Sequence, residues 1–475
     1  MDYFKISKFF LYLVPFAVVV VSVSTLFPFI VGKYAFFRTT IGLALIFYLL
    51  GLLLQDKSSV VSRQSSVVFK RPLVIAVSLF VFIFVLAGFF GVDPAFSFWS
   101  NFERGEGSLQ IICLYVFFLL SVLLFEKKDW RIMFWVSIIA AGLMIFYGVG
   151  AGLKYLDAET AVRNIGGVSQ EVLTGEGGFL YQTFKSFIGP DFRESGFRFA
   201  GSIGNPAYVA TYLVFILFYV FYLLVDCIKE EKKKLAIILG SLAVVFAIFF
   251  FLAATRGAFV GLIAAILTAL AYLGFSLKRF RKFALIIGFL VILFVGSVIL
   301  LRDSRFIQNI PGSRIFDISF KAENFQNRTV IWKIAVDGFK ERPILGWGAE
   351  NFSYTFDEYY NPKHYSVKEG FGAWYDRAHN IFLDYLTQAG ILGLLSFIGI
   401  WAVFYWRSLK LLVSNNEKNQ LSGRSLLIQR ALIFAVPTAY LIQGLVLFDI
   451  LPTYINLFLF LAFANYKFKT QNSKF

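Results

Sequence analysis

Charge is scarce in this sequence: only 16% of its 475 residues are Asp, Glu, Lys or Arg, where a soluble globular chain carries roughly a quarter. Histidine is nearly absent, and His364 and His379 alone leave no room for a histidine-rich metal cluster. The two cysteines, Cys113 and Cys227, lie in or beside different apolar tracts, which argues against a structural disulfide or a thiolate metal site. No G-x-x-x-x-G-K-[ST] phosphate loop, G-x-S-x-G elbow, H-E-x-x-H pair or paired-cysteine zinc spacing occurs. Nor is there a D-x-D pair of the kind that holds a divalent cation. These absences lead us to expect no metal and no cofactor.

What fills the chain is apolar. Hydrophobic residues make up 58% of it, 60 of them Phe, and the mean hydropathy is +0.72. Apolar tracts recur near residues 9–31, 35–54, 72–91, 108–125, 130–153, 204–225, 235–253, 256–275, 283–301, 381–406, 426–447 and 449–466. Tracts of about 17–25 residues are long enough to cross a hydrocarbon core as helices. The expected fold is an all-α integral membrane protein of about twelve transmembrane helices. The first tract, Phe9–Val31, has no clear A-x-A-like cleavage site and reads as a retained helix rather than a signal peptide.

The net charge of +16 is then a matter of topology. With a cytoplasmic N-terminus, the cytoplasmic connections are short and basic: Lys57 to Arg71, Lys127/Lys128/Arg131, Lys229 with Lys232–Lys234, Lys278/Arg279/Arg281/Lys282, and Arg407 to Arg430. Lys467, Lys469 and Lys474 of the C-terminal tail fit the same side. The alternate connections are longer, more acidic and more aromatic, as the positive-inside rule requires. Both termini are therefore expected in the cytoplasm, and the basic excess calls for no nucleic acid.

This divides the chain into residues 1–301, nine spans with outer loops near 92–107 and 154–203; residues 302–380, a large outer loop; and residues 381–475, three spans and a cytoplasmic tail. The segments Lys154–Ile203 and Arg302–Arg377 are too long for turns, and long loops tend to carry function. The second predicts an amphipathic helix over Asn327–Lys340, with Asn327 as N-cap and Ile331, Ile334, Ala335 and Phe339 on one side, broken by Pro343, Gly346 and Gly348. Such a helix would lie over the outer mouth of the bundle. No internal repeat is evident, so the symmetry of inverted-repeat transporters gains no support.

The candidate chemistry sits at the outer ends of these spans. Arg256 follows Thr255, a residue suited to cap the next helix, which puts a cation in the first turn against the helix dipole. Helix-terminal N–H groups with a guanidinium make an anion site; the alternative is an arginine that snorkels to headgroups. Gly257-x-x-x-Gly261 beside it suits close helix packing. Arg328 opens the loop helix, either as a solvated surface residue or as a second guanidinium on the same anion. His379 stands where the large loop enters the tenth span, as a structural interface residue or as a general base. Asn380, Asp384 and Gln388 follow it at helical spacing as a polar stripe that should face the bundle interior. Trp99, Glu103, Arg104 and Gly107, and Arg198 and Asn205 around Phe199–Gly204, are further candidates, with aromatic-belt and loop packing as the alternative.

The chain resembles the O-antigen ligase and polymerase-like membrane proteins. The resemblance runs through Thr255-Arg256-Gly257, Asn327-Arg328-Thr329-Val330-Ile331-Trp332, Pro343-Ile344-Leu345-Gly346-Trp347-Gly348-x-x-Asn351-Phe352, His379-Asn380-Ile381-Phe382-Leu383 and Gly390-Ile391-Leu392-Gly393-Leu394. It is strongest over residues 250–400. It implies an inverting, metal-independent glycosyltransferase of lipopolysaccharide or polysaccharide biosynthesis. Such an enzyme sits in a bacterial inner membrane with its site on the periplasmic face. The implied donor is a glycan on a polyprenyl (undecaprenyl) diphosphate, and the acceptor is a lipid, glycan or protein hydroxyl. By carry-over, Arg256 and Arg328 would bind and neutralise the diphosphate, and His379 would activate the acceptor or organise the site. Asn380, Asp384, Arg104, Arg198 and Asn205 complete the candidate substrate-binding set. The rival class is a twelve-helix carrier, which should place its ionisable groups near the bilayer midplane rather than at the helix ends.

Overall fold

The computed structural model describes residues 2–22, 24–54, 67–101, 103–151, 198–302, 304, 307, 313–316, 323–362, 365–366, 371–372, 374–413 and 421–472. Most of the outer loop expected near 154–203, and the basic residues Lys57 and Lys474, lie outside them. The described chain is helical: α1 Tyr3–Leu13, α2 Val31–Leu54, α3 Pro72–Phe89, α4 Pro94–Trp99, α5 Ser108–Leu124, α6 Lys127–Phe146, α7 Pro206–Lys229, α8 Lys233–Leu252, α9 Arg256–Ser276, α10 Lys278–Leu300, α11 Glu323–Glu341, α12 Phe352–Glu358, α13 Ile381–Val413, α14 Leu421–Gly444 and α15 Leu451–Asn472. Two short strands in the large loop, β1 Tyr365–Ser366 and β2 Phe371–Gly372, pair antiparallel.

Among the described residues, nine helices are long and apolar enough to cross a membrane: α2, α3, α6 to α10, α13 and α14. The other three tracts depart from that pattern for separate reasons. The first is not one helix. α1 ends at Leu13 and a 3-10 helix, Val14–Val19, follows, because Pro15 lacks the N–H that an α-helix interior needs. α5 is apolar but only 17 residues long. α15 carries Pro452, Asn456, Asn465 and Lys467, and it is buried at every position from Leu451 to Asn465. A helix enclosed by protein can hold polar groups that find partners, and the Asn456 Oδ1 accepts from the Tyr219 hydroxyl of α7 at 3.0 Å. α7 and α15 are thus the inner helices, whereas α10 turns Phe289, Ile292, Leu293 and Phe294 outward.

Close packing uses glycine where backbones meet. A Cβ on Gly261 of α9 would strike the Ala439 carbonyl of α14, which accounts for the Gly257-x-x-x-Gly261 spacing. α13 is broken at Gly390, whose φ of 65° is left-handed and favours glycine. The Pro343–Gly348 strap closes that break: Trp347 N donates to Thr387 O and Gly348 N to Gln388 O, both at 2.9 Å, while Ile391 N donates to Pro343 O at 2.8 Å. Backbone groups freed by a helix break at membrane depth need such partners.

The loop helix exists and is amphipathic, but α11 begins at Glu323, so Asn327 lies within it and is not its cap. Ile331, Ile334 and Ala335 are buried in a small core with Phe352, Phe356 and Ala378. That core anchors α11 over the start of α13.

One end of the bundle gathers the termini that matter. Phe199 N donates to Leu252 O at the end of α8, and Leu451 N at the start of α15 donates to Glu106 Oε1 just before α5. The opposite end is closed by ion pairs, Lys8 with Asp129 at 2.7 Å and Arg131 with Asp226 at 3.1 Å.

Candidate active site

The α8–α9 junction is a tight corner. Ala254 takes a φ of 46°, a conformation L-residues rarely adopt. Thr255 occupies the N-cap position of α9, yet its side chain does not cap the helix. Its hydroxyl instead receives the Arg198 Nη2 at 3.0 Å, and Arg198 Nε donates to the Ala253 carbonyl at 3.2 Å. Arg256 starts α9, and its Nε donates to the Arg314 carbonyl at 3.2 Å.

These residues border a cavity of about 290 Å³ also lined by Asn327, Arg328, Ile331, Tyr375, His379, Gln443, Val446 and Leu447. Four guanidiniums, from Arg198, Arg256, Arg314 and Arg328, therefore face one space, and none of its described lining residues is acidic. Burial draws the Arg198 pKa down to about 10, with the charges of Arg314 and Arg256 pushing the same way. Arg328 is lowered by burial and by Arg256, against an opposing contribution from Tyr375. Cations that depress one another's ionisation define a site for an anion.

His379 closes the cavity from the head of α13. Its φ of 52° is left-handed, strain of roughly 1–3 kcal/mol that the surrounding structure must over-determine. The ring is held edge-on between Tyr375 and Phe448, with centroids 5.4 and 5.0 Å away. Nδ1 lies 3.1 Å from the Arg377 carbonyl. A carbonyl only accepts, so Nδ1 carries the proton and Nε2 holds the lone pair. Burial lowers the His379 pKa to about 4; the Arg377 carbonyl opposes this, and the charges of Arg328 and Arg104 add to it. The imidazole is neutral at physiological pH.

Behind His379 lies a buried ionic knot. Arg377, 4% exposed, pairs with Glu350 and with Glu106 Oε2 at 3.3 Å. Ser100 donates to Glu350 Oε2 at 2.8 Å, and the Glu350 amide donates to Gln388 Oε1 at 2.8 Å. Burial raises the Glu106 pKa to about 8 despite Arg377, with Glu350 adding to the rise. This knot ties the loop before α5, the turn before α12 and the approach to α13 into one body.

A second cavity, of about 230 Å³, opens at the same end. Phe29, Ile30, Lys33, Tyr34, Glu103, Arg104, Glu106, Ile203, Gly204, Asn205, Tyr208, Ile450, Leu451 and Pro452 line it. Its cations are already engaged. Arg104 forms a two-point contact with Asp376, at 2.7 and 3.1 Å; burial works against its charge, but Asp376 outweighs that and raises its pKa. Lys33 Nζ donates to the Val20 and Ser202 carbonyls, both at 2.7 Å.

Of the residues singled out from sequence, Arg198, Arg256, Arg328 and His379 come together on the first cavity, and Arg104 and Asn205 stand on the second. Asn380 and Asp384 line neither. The Asn380 Oδ1 accepts from Phe382 N at 3.0 Å, and the Asp384 Oδ1 accepts from Ala378 N at 2.7 Å, so both brace the backbone around His379. Arg314, Tyr208 and Phe448 had no sequence signal. Arg314 lies in an unpatterned loop, and Phe448 is one Phe among 60.

Residues 241–398 match the family model described as O-antigen ligase. That stretch supplies Arg256, Arg314, Arg328, Tyr375 and His379, while Arg198, Ala207 and Gln443 complete the cavity from outside it. No curated protein matches the chain.

Proposed function

We propose that this protein is an inverting, metal-independent glycosyltransferase, O-antigen ligase-like. It moves a glycan from a polyprenyl (undecaprenyl) diphosphate to an acceptor hydroxyl. The observation that carries the reading is the four-arginine cavity closed by a histidine whose Nδ1 is turned to the Arg377 carbonyl, an arrangement that leaves Nε2 to act as the acceptor. Counting α1 with its 3-10 extension, α5 and α15 as crossings brings the spans to about twelve. Both termini are then cytoplasmic, and the cavity opens on the periplasmic face of a bacterial inner membrane.

In the reaction, the acceptor oxygen attacks the anomeric carbon from the face opposite the diphosphate. The new C–O bond forms as the bond to the phosphate oxygen breaks. The hydroxyl proton passes to His379 Nε2, and polyprenyl diphosphate departs with the bonding pair. Arg256 and Arg328, helped by Arg198 and Arg314, stabilise the charge that grows on the leaving group. One guanidinium–phosphate pair at about 4 Å gains about 4 kcal/mol of gross Coulomb energy at an effective dielectric of about 20. Preorganised charge of this kind is usually the largest single contribution to catalysis. The diphosphate also acts on the base: its negative charge offsets Arg328 and Arg104, so His379 becomes more basic when donor is bound. The position of these groups at the helix ends favours an interfacial enzyme over a carrier.

The test is transfer by purified protein from a polyprenyl-diphosphate glycan to a panel of acceptors: lipid core, a second polyprenyl-linked glycan and a hydroxyl-bearing peptide. Product should form with chelator present. Chelator-sensitive transfer would remove the metal-free mechanism. Substrate accumulation in sealed vesicles without covalent product would point to a carrier.

A further inference from the structure

We propose that Gln443 reads the sugar of the donor: its side-chain amide hydrogen-bonds a hydroxyl of the ring that carries the diphosphate. This rests on the transferase reading above. Gln443 comes from α14, outside residues 241–398, and is 3% exposed. It borders the arginine cavity, yet its Oε1 has no hydrogen-bond partner among the described residues. Leaving such a group buried and unpaired costs about 1–3 kcal/mol, and folded proteins rarely do so. Water can serve it before substrate arrives, and a ligand group can then take the water's place. Two glycines fix where the amide lies. A Cβ on Gly257, next to Arg256 in the first turn of α9, would collide with the Gln443 Oε1 and with the Val446 side chain. Gly261 clears a backbone carbonyl, whereas Gly257 clears this amide. One residue along α14, a Cβ on Gly444 would collide with the side chain of Ile381, two residues beyond His379. The amide therefore stands between the arginine that meets the leaving group and the segment that carries the base. The anomeric carbon must lie between the same two groups, so its ring is the part of the donor beside Gln443.

The chemistry of the amide selects a hydroxyl. An ionised diphosphate carries only acceptors, and guanidiniums are suited to meet them. Against a phosphate oxygen Oε1 would be repelled and would stay unpaired. A hydroxyl both donates and accepts, so it can satisfy Oε1 or, after a half-turn of the terminal bond, the amide N–H groups. The Thr255 hydroxyl on the same cavity is already taken by Arg198 at 3.0 Å. Val446, Leu447 and Tyr375 share the lining and offer apolar surface to the C–H faces of a ring. A site with an amide that needs a partner penalises a substrate lacking the matching group more than it rewards one that is merely larger. Gln443 thus makes the donor site sensitive to the sugar as well as to the diphosphate.

The experiment measures binding to the full chain in detergent of polyprenyl diphosphate without a sugar and of polyprenyl diphosphate bearing glucose or galactose. The wild type should hold at least one sugar-bearing lipid more tightly than the bare one. Gln443→Met, similar in length and without the amide, should cut that advantage by about 3- to 10-fold, the worth of one ordinary hydrogen bond. Affinity for the bare lipid should match wild type, which reports an intact fold and an intact arginine site. Gly257→Ala, whose Cβ displaces the amide, should show the same split between the two lipids. A wild type that gains from neither sugar overturns the proposal, and so does an advantage that both variants keep in full. Equal losses for bare and sugar-bearing lipid overturn it as well, because they would make Gln443 a phosphate contact or a packing residue. Failure of the transferase reading has a separate signature: bare lipid that does not bind the wild type, or binds Arg328→Ala equally well.

Discussion

The two cavities share one end of the bundle and have similar volumes, about 290 and 230 Å³, yet they differ in how their charge is spent. In the first, four guanidiniums face a space with no acidic group among its described lining. In the second, Arg104 is bound to Asp376, and two carboxylates share the wall with aromatic rings. Size therefore says little about use. The crowding of like charges in the first cavity favours an anion there, whereas the pairing of Arg104 with Asp376 makes it part of the framework.

Arg377 is the extreme of the paired kind, and it offers the strongest way to break the contrast. Arg377→Ala leaves Glu106 and Glu350 buried without their partner, which should cost about 3–5 kcal/mol, read as a lower midpoint in thermal unfolding in detergent. Arg328→Ala removes a cation from a crowded cationic site and should leave that midpoint near wild type. Equal destabilisation by both would erase the distinction.

Next in size are the chemical effects. Arg256→Ala, Arg328→Ala and His379→Ala should each lower turnover on the order of 10²–10³-fold, by analogy with the loss of one preorganised electrostatic contact. Full activity in all three would remove the site assignment.

Burial and nearby cations hold the His379 pKa near 4, so the base is neutral and competent above that value and is lost as pH falls through it. The acid limb of kcat/KM for the donor, which reports the free protein, should fall near pH 4. The limb of kcat should lie higher, because bound diphosphate raises the same pKa. Coincident limbs would mean that the diphosphate does not sit beside His379.

The sequence made part of the arginine cavity legible where its residues stand beside local signals. Arg256 and His379 mark helix starts, Arg198 precedes one, and Arg328 lies in a periodic loop helix. Arg314, Tyr208 and Phe448 stayed hidden because their roles arise from tertiary approach. The polar stripe Asn380, Asp384 and Gln388 does face inward and is buried, but it braces backbone and lines neither substrate-sized cavity. The membrane character was plain from hydropathy, whereas the number and shape of the spans were less so. Pro15 divides the first tract, and the inner helix α15 keeps polar groups that a lipid-facing helix would not. α11 starts ahead of Asn327 because nothing after Glu323 stops a helix from forming earlier.

The transferase reaction requires the arginine cavity to hold a diphosphate. Its most direct test is equilibrium binding of polyprenyl-diphosphate glycan to purified wild type and to Arg256→Ala and Arg328→Ala, with inorganic pyrophosphate as competitor. Binding to the wild type should be saturable and displaced by pyrophosphate, and it should weaken clearly in both variants with the fold intact. Binding that pyrophosphate does not displace, or that both variants retain in full, would contradict it.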